Sequence, residues 1–301
     1  MTTWLLFYLS AYADAQTDPI LEIMQTEMSR SFEWLQDQEQ PPYWIELAVT
    51  DDQVTRIEAS NGTILEQEDD FERILDLDLR VGDWALDNTH PIIDGGYFSD
   101  DPTHFDGDLP LGDDPDVLAH EIWKQMDVAY QTGVRRLIKI QSNREIKVER
   151  EDMSDDFSKT APLKYLEDVP DFQSLQQSPW TDTLRRCSAD FLQNSDVLFS
   201  KVTLERTLET RRIVTTDGST IREVRPHVRL SVYAQGVAED GMRLTTYDYI
   251  DAESMNTLSK EDCTKLVNTA SSTLSELLIA PVVDPFVGPA ILRGKAAAVF
   301  F

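Results

Sequence analysis

The sequence predicts an α+β fold in which antiparallel sheet meanders pack with long helices in two units, and three observations carry this. Apolar residues recur at three- and four-residue steps in three long stretches, the mark of amphipathic helices. Between them lie runs in which apolar and charged residues alternate, as on a half-buried strand. Those runs are joined by Asn61-Gly62, Asp217-Gly218 and Asp240-Gly241, turn signals short enough to require antiparallel neighbours.

The first helix is expected over Pro19 to Gln36, where Ile20, Ile23, Met24, Met28, Phe32 and Leu35 share a face. Asp18-Pro19 provides its cap and first-turn proline. Tyr43 to Val49 reads as a buried strand, Asp51-Asp52 as a turn, and Val54 to Ala59 as a second strand. Beyond Asn61-Gly62, Thr63 to Leu65 begins a return strand, and Leu75, Leu77, Leu79 and Val81 alternate with charges. A loop rich in Asp, Gly and Pro occupies Asp94 to Asp116. From Val117 through about Arg150 the periodicity is again helical, ending in a charged arm to Val148. Asp152 to Pro179 is polar and punctuated by proline. The second unit starts with a helix from Trp180 to about Gln193. Strands follow over Val197 to Leu208, Arg211 to Thr216 and Ile221 to Val237. A last helix covers Ser259 to Leu278, with Ser259 and Asp262 at capping-box spacing. The resulting division is a leader over 1–15, an α+β domain over 16–160, a linker over 161–180 and a second α+β unit over 181–301.

The 301 residues include 55 acidic and 27 basic side chains, a formal charge of −28. Such a surface repels phosphate backbones and anionic membranes, so nucleic acid is excluded as a natural partner. No stretch approaches the roughly 18 consecutive apolar residues of a membrane span. The apolar run Trp4 to Leu9 ahead of Ala13-Asp14-Ala15 fits a signal peptide cleaved before Gln16, hence export to the periplasm or beyond. A buried amphipathic N-terminal helix in a cytoplasmic protein is the competing reading. Cys187 and Cys263 are too few for a disulfide scaffold and have no C-x-x-C spacing; one bridge or two buried thiols both remain open.

Few residues suggest chemistry. His90, His104, His120 and His227 have no partner at metal-ligand spacing. His120-Glu121 begins like a zincin helix, but the position that needs the second His holds Lys124. Asp100, Asp101, Asp106, Asp108, Asp113 and Asp114 offer hard oxygen ligands without an EF-hand spacing, so surface acidity outweighs calcium binding. Arg206, Arg211, Arg212, Arg222, Arg225 and Arg229 read as a solvated strand face opposed to neighbouring Glu, with an acidic partner as the alternative. The expected catalytic, cofactor-binding and metal-ligand sets are therefore empty.

The end of the chain carries a resemblance. Asp284-Pro285-Phe286-Val287-Gly288-Pro289-Ala290-Ile291-Leu292, then Gly294-Lys295-Ala296-Ala297-Ala298-Val299-Phe300-Phe301, resembles the segment that leads into the zinc-binding helix of the TldD/PmbA metallopeptidases. Pro41-Pro42-Tyr43, Arg80-Val81-Gly82-Asp83, Leu86-Asp87-Asn88-Thr89, Asp155-Asp156-Phe157-Ser158 and Asp240-Gly241-Met242 agree with exported bacterial members. The resemblance implies a peptidase in which H-E-x-x-x-H follows, two His hold zinc, the Glu activates water and a later Cys is a further ligand. None of those residues stands here, and Cys187 and Cys263 lie upstream of that motif. The chain is thus expected to be the non-catalytic N-terminal part of such an enzyme. Its expected partners are a peptide, the C-terminal half, or further subunits in a homo-oligomer or a hetero-oligomer with a paralogue; the rival reading is a non-enzymatic peptide-binding or assembly module. The apolar run Ala296 to Phe301 is expected to begin a core helix, with a short buried strand as the alternative.

Overall fold

The computed structural model describes residues 18–91, 104–146, 154–176 and 178–300. The proposed leader, the charged arm beyond Ile146, and Asp100 and Asp101 lie outside them. Helix α1 (Pro19–Gln36) has the predicted bounds, and the Asp18 side chain accepts from the Leu21 N–H at its N-terminus. Strand β1 (Pro42–Ser60) pairs with β2 (Thr63–Val81) across Asn61-Gly62. Both turn residues take positive φ, 49° and 80°, the conformation a two-residue hairpin of matching twist demands. The short β3 (Phe105–Asp108) borders β2, and α2 (Pro115–Ile146) follows. Strand β4 (Lys164–Leu166) falls within the predicted linker. Then come α3 (Trp180–Asp190), β5 (Phe199–Thr215), β6 (Thr220–Val237), β7 (Arg243–Ala252), α4 (Lys260–Leu278) and α5 (Lys295–Phe300). The capping box of α4 forms as read, with the Ser259 and Asp262 side chains each bonding the other's backbone N–H.

The fold is α+β, and its two units share one sheet of order β3-β2-β1-β5-β6-β4, with β7 also pairing with β6. The join is β1 against β5, paired from Glu46–Thr215 to Ala59–Val202. Along β1 the deeply buried side chains are mostly at odd positions, and their cross-strand partners in β5 and β6 are at even ones. On that face lie two apolar cores. One joins α1 and α2 to Ile45, Leu47, Val49, Leu75, Leu77 and Leu79. The other joins α3 and α4 to Ile57, Val202, Leu204, Leu230 and Val232. Among the described residues no helix packs on the opposite face, which carries Glu46, Asp52, Glu68, Asp78, Glu205 and Glu223 beside Arg56, Arg211, Arg225 and Arg229.

Two expected breaks in the strands do not occur. Asp51-Asp52 is no turn, and β5 runs through Glu209-Thr210 without interruption. The reason is a buried ionic seam that crosses the sheet between the two cores. Arg73 reaches Asp51 through Nε and Nη2 at 2.6 and 3.2 Å. Arg212 donates to Asp51 Oδ2 at 2.9 Å and to Asp18 Oδ2 at 2.8 Å, and Arg222 adds a 3.0 Å bond to Asp18. Charged residues in a strand pattern read as a turn when their partners are distant in sequence. The same seam corrects the expected arginine face: Arg212 and Arg222 are 7 % and 3 % exposed and face the helices, whereas Arg211, Arg225 and Arg229 occupy the other side of the sheet.

At the sheet margin, the outer edge of β2 from 63 to 73 pairs with no strand among the described residues, since β3 reaches only Ile74 to Leu77. It is lined by exposed Glu66, Glu68, Asp69, Asp70 and Glu72.

Candidate functional site

The structure disperses the histidines. His90 Nδ1 lies 2.5 Å from Asp156, His104 Nε2 3.3 Å from Asp76 and His227 Nε2 3.1 Å from Asp251. The His120 and Trp123 rings lie 5.8 Å apart, tilted by 35°, on the outside of α2, while Glu121 accepts from Lys124 at 2.5 Å. Cys187 and Cys263 form a disulfide, which resolves the open alternative and removes both thiolates as ligands. The acidic loop residues have separate tasks: Asp113 pairs with Arg73, and Asp114 accepts from the Asp116 and Val117 N–H groups at the start of α2. Among the described residues no three His, Cys, Asp or Glu side chains converge as metal ligands, so the donor set present does not fit a zinc site.

Sequence stretches that carried the family resemblance do converge. Tyr43 and Trp44 start β1, Arg80 ends β2, Trp84 to His90 form the following loop, and Asp156-Phe157 returns from far along the chain. The Phe157 ring sits 4.8 Å from Trp44 and 5.4 Å from Trp84, the latter stacked at 6°, and the Arg80 guanidinium lies 3.9 Å above it. The Phe157 N–H donates to the Trp84 carbonyl. Asp87, fully buried, accepts from the Tyr43 hydroxyl at 2.6 Å and from Arg80 at 3.0 Å. Burial and the Asp87 carboxylate push the Tyr43 phenol well above its ordinary range, so it remains a donor throughout the working pH range. The Asp156 carboxylate joins the Asp87 N–H to His90. This corner ties the 154–158 segment to the sheet face that carries no helix. Phe157→Ala should cost about 1–3 kcal/mol for two aromatic contacts and raise acrylamide quenching of tryptophan fluorescence as Trp44 and Trp84 become wet. Unchanged quenching would mean that the segment does not cover them in solution.

On the helix side, beyond the ionic seam, lies a cleft of about 840 Å³. It is floored by β5 and β6 and bounded by the 170–180 segment and by the residues after β7. Apolar wall comes from Leu175, Pro179, Trp180 and Val228, and Arg206 projects into it. Sequence reasoning placed Arg206 on a solvated face; the missed signal is its even position in β5, shared with buried Leu204, Leu208 and Arg212.

After α4 the chain runs from Ile279 to Gly294 without helix or strand. Ile279, Val282, Val283, Phe286, Val287 and Ile291 are 81–99 % exposed there. Helix α5 then begins with Lys295, whose Nζ bonds Asp248 and the Tyr249 carbonyl over the Tyr249 ring at the margin of β7. The helical alternative for this end is the one observed, with Val299 and Phe300 exposed.

Residues 170–278 match the family model of the PmbA/TldA metallopeptidase central domain. No curated protein matches the chain. Similar solved structures include a candidate modulator of a DNA gyrase from Thermotoga maritima, with TM-score 0.49 and 10 % identity over 87 % of this chain and 50 % of that one. Another candidate modulator of DNA gyrase, from Bacteroides thetaiotaomicron, gives TM-score 0.49 and 12 % identity over 86 % and 50 %. TldE from Thermococcus kodakarensis gives 0.47 and 10 % over 84 % and 47 %. The chain spans about half the length of these solved structures. The second unit, over residues 170–278, is thus similar to the central domain of the PmbA/TldA metallopeptidases.

Proposed function

We propose that this chain is the N-terminal, non-catalytic part of a zinc metallopeptidase and serves to hold peptide beside a metal centre supplied by other residues. The supporting observation is the order of features: a metallopeptidase central domain over 170–278 is followed at once by a strongly exposed apolar segment over 279–300. Contiguous exposed apolar surface of this kind marks a docking site, and the C-terminal, metal-bearing part of such an enzyme is the occupant this reading assigns. In the bound enzyme zinc would polarise the scissile carbonyl. The present residues contribute wall and cleft.

Metal analysis of the purified chain should find no stoichiometric zinc, and a mixed peptide library should remain uncleaved. About one zinc per chain that survives mild chelation would overturn the reading. Export belongs to the same reading. It is supported by Ala13-Asp14-Ala15 and by the Cys187–Cys263 bridge, a feature far commoner in oxidising compartments than in the cytosol. The mature protein should begin at Gln16; cytosolic protein beginning at Met1 would refute this.

A further inference from the structure

Arg206 is an anomaly in a protein of charge −28. Its side chain faces the helix side of the sheet in a row with Thr55 and Val228. Among the described residues it makes no salt bridge, although acidic side chains outnumber basic ones two to one. Nη1 donates to the Gln173 carbonyl at 3.0 Å and Nη2 to the Asp171 carbonyl at 3.1 Å, while the guanidinium lies 4.8 Å from the Phe172 ring. These contacts fix the plane of the group without neutralising its charge. A guanidinium has five N–H donors, so three remain. Burial alone shifts its pKa, and it does so downward, as expected where no anion stands by.

The surroundings restrict what would complete it. The cleft of about 840 Å³ is large enough for several residues of a small ligand or peptide end. Trp180, Leu175, Pro179 and Val228 offer an apolar body-binding surface. Asp171 and Glu253 are among the residues that line it, and their negative charge disfavours a phosphate or any polyanion more than a single carboxylate. On the far side of the floor, the outer edge of β6 carries β4 only to Arg222 and β7 only from Val228, so along 223–227 that edge pairs with no strand among the described residues, and the Val224 N–H donates there to Glu167 Oε2 at 2.7 Å. An extended chain can lie there.

We propose that this cleft binds the free C-terminal carboxylate of a peptide with an apolar last residue, Arg206 forking the carboxylate and Trp180 flanking the side chain. The proposal does not depend on the peptidase reading, because binding is measured without cleavage. The test is calorimetry on the whole chain with an N-acetylated tetrapeptide ending in leucine, as the free acid and as the C-terminal amide, with inorganic phosphate as competitor. The acid should bind about ten- to a hundredfold more tightly than the amide, the range expected for charge-assisted hydrogen bonds. Equimolar phosphate should not displace it, and Arg206→Gln should abolish the preference for the acid. Equal affinity of acid and amide overturns the proposal, as does binding of neither, or displacement by phosphate at equal concentration. The acid–amide comparison uses the unmodified protein, so it decides the matter even where Arg206→Gln loosens the 171–173 loop.

Discussion

Replacing Asp51 by Asn should lower the free energy of unfolding by roughly 3–5 kcal/mol, the usual cost of removing one partner from a buried ion pair. Asp51 is 4 % exposed and is gripped by Arg73 and Arg212, two arginines from different strands that would be left buried beside a neutral amide. Arg225→Gln, at the exposed pair with Glu209 and Glu223, should change stability by less than about 1 kcal/mol. Equilibrium denaturation by urea compares the two. A loss for Asp51→Asn as small as that for Arg225→Gln would mean that water reaches the seam. Acid should weaken the same seam through Asp18. Burial alone would raise the Asp18 pKa, but the charge and hydrogen bond of Arg212, then the bonds from Arg222 and the Leu21 N–H, outweigh it and bring the pKa below its ordinary value. A carboxylate depressed in the folded state stabilises above its unfolded pKa, and that stabilisation disappears as the pH falls through the folded value. Asp18→Asn should therefore flatten the loss of stability below about pH 4.

The second large effect concerns the bridge between α3 and α4. Cys187 and Cys263 are separated by 76 residues and have Cα atoms 6.2 Å apart, within the range a disulfide spans. Closing a loop of this length restricts the unfolded chain by about 4.5 kcal/mol in the chain-entropy account, and measured effects are commonly about 2–4 kcal/mol. The double variant Cys187→Ala/Cys263→Ala should lose an amount in that range, and a reductant should lower the Tm of the unmodified protein while leaving the variant unaffected. A Tm insensitive to reductant would show that the bridge is not formed in solution.

What the sequence revealed was set by how local the controlling interactions are. Helix α1, the Asn61-Gly62 hairpin and the Ser259–Asp262 capping box depend on residues within a few positions, and all were legible. The uninterrupted course of β1 through Asp51 was not, because the groups that make a charge tolerable there come from Arg73, 22 residues on, and Arg212, 161 residues on. The arginines of β5 and β6 misled for the same reason: period-two alternation tells which residues share a face, but not that both faces carry charge. The corner around Phe157 was visible only as separate resembling stretches, since no short-range pattern announces that Asp156-Phe157 folds back onto Trp84. Its partners are apolar and aromatic rings that also read as ordinary core.

The acidic margin of β2 has a consequence for how the molecule behaves in a crowd. A long strand with open N–H and C=O groups is a template onto which another copy can add, and repeated addition builds fibres. Glu66, Glu68, Asp69, Asp70 and Glu72 place a row of like charge along that template, so a second copy approaching in register meets its own negative potential before any backbone bond can form. The surplus of negative charge is thus spent partly where association would be most damaging. Mutual repulsion along one strand is a colloidal safeguard, strongest in dilute salt at neutral pH and fading as salt screens it or acid discharges it.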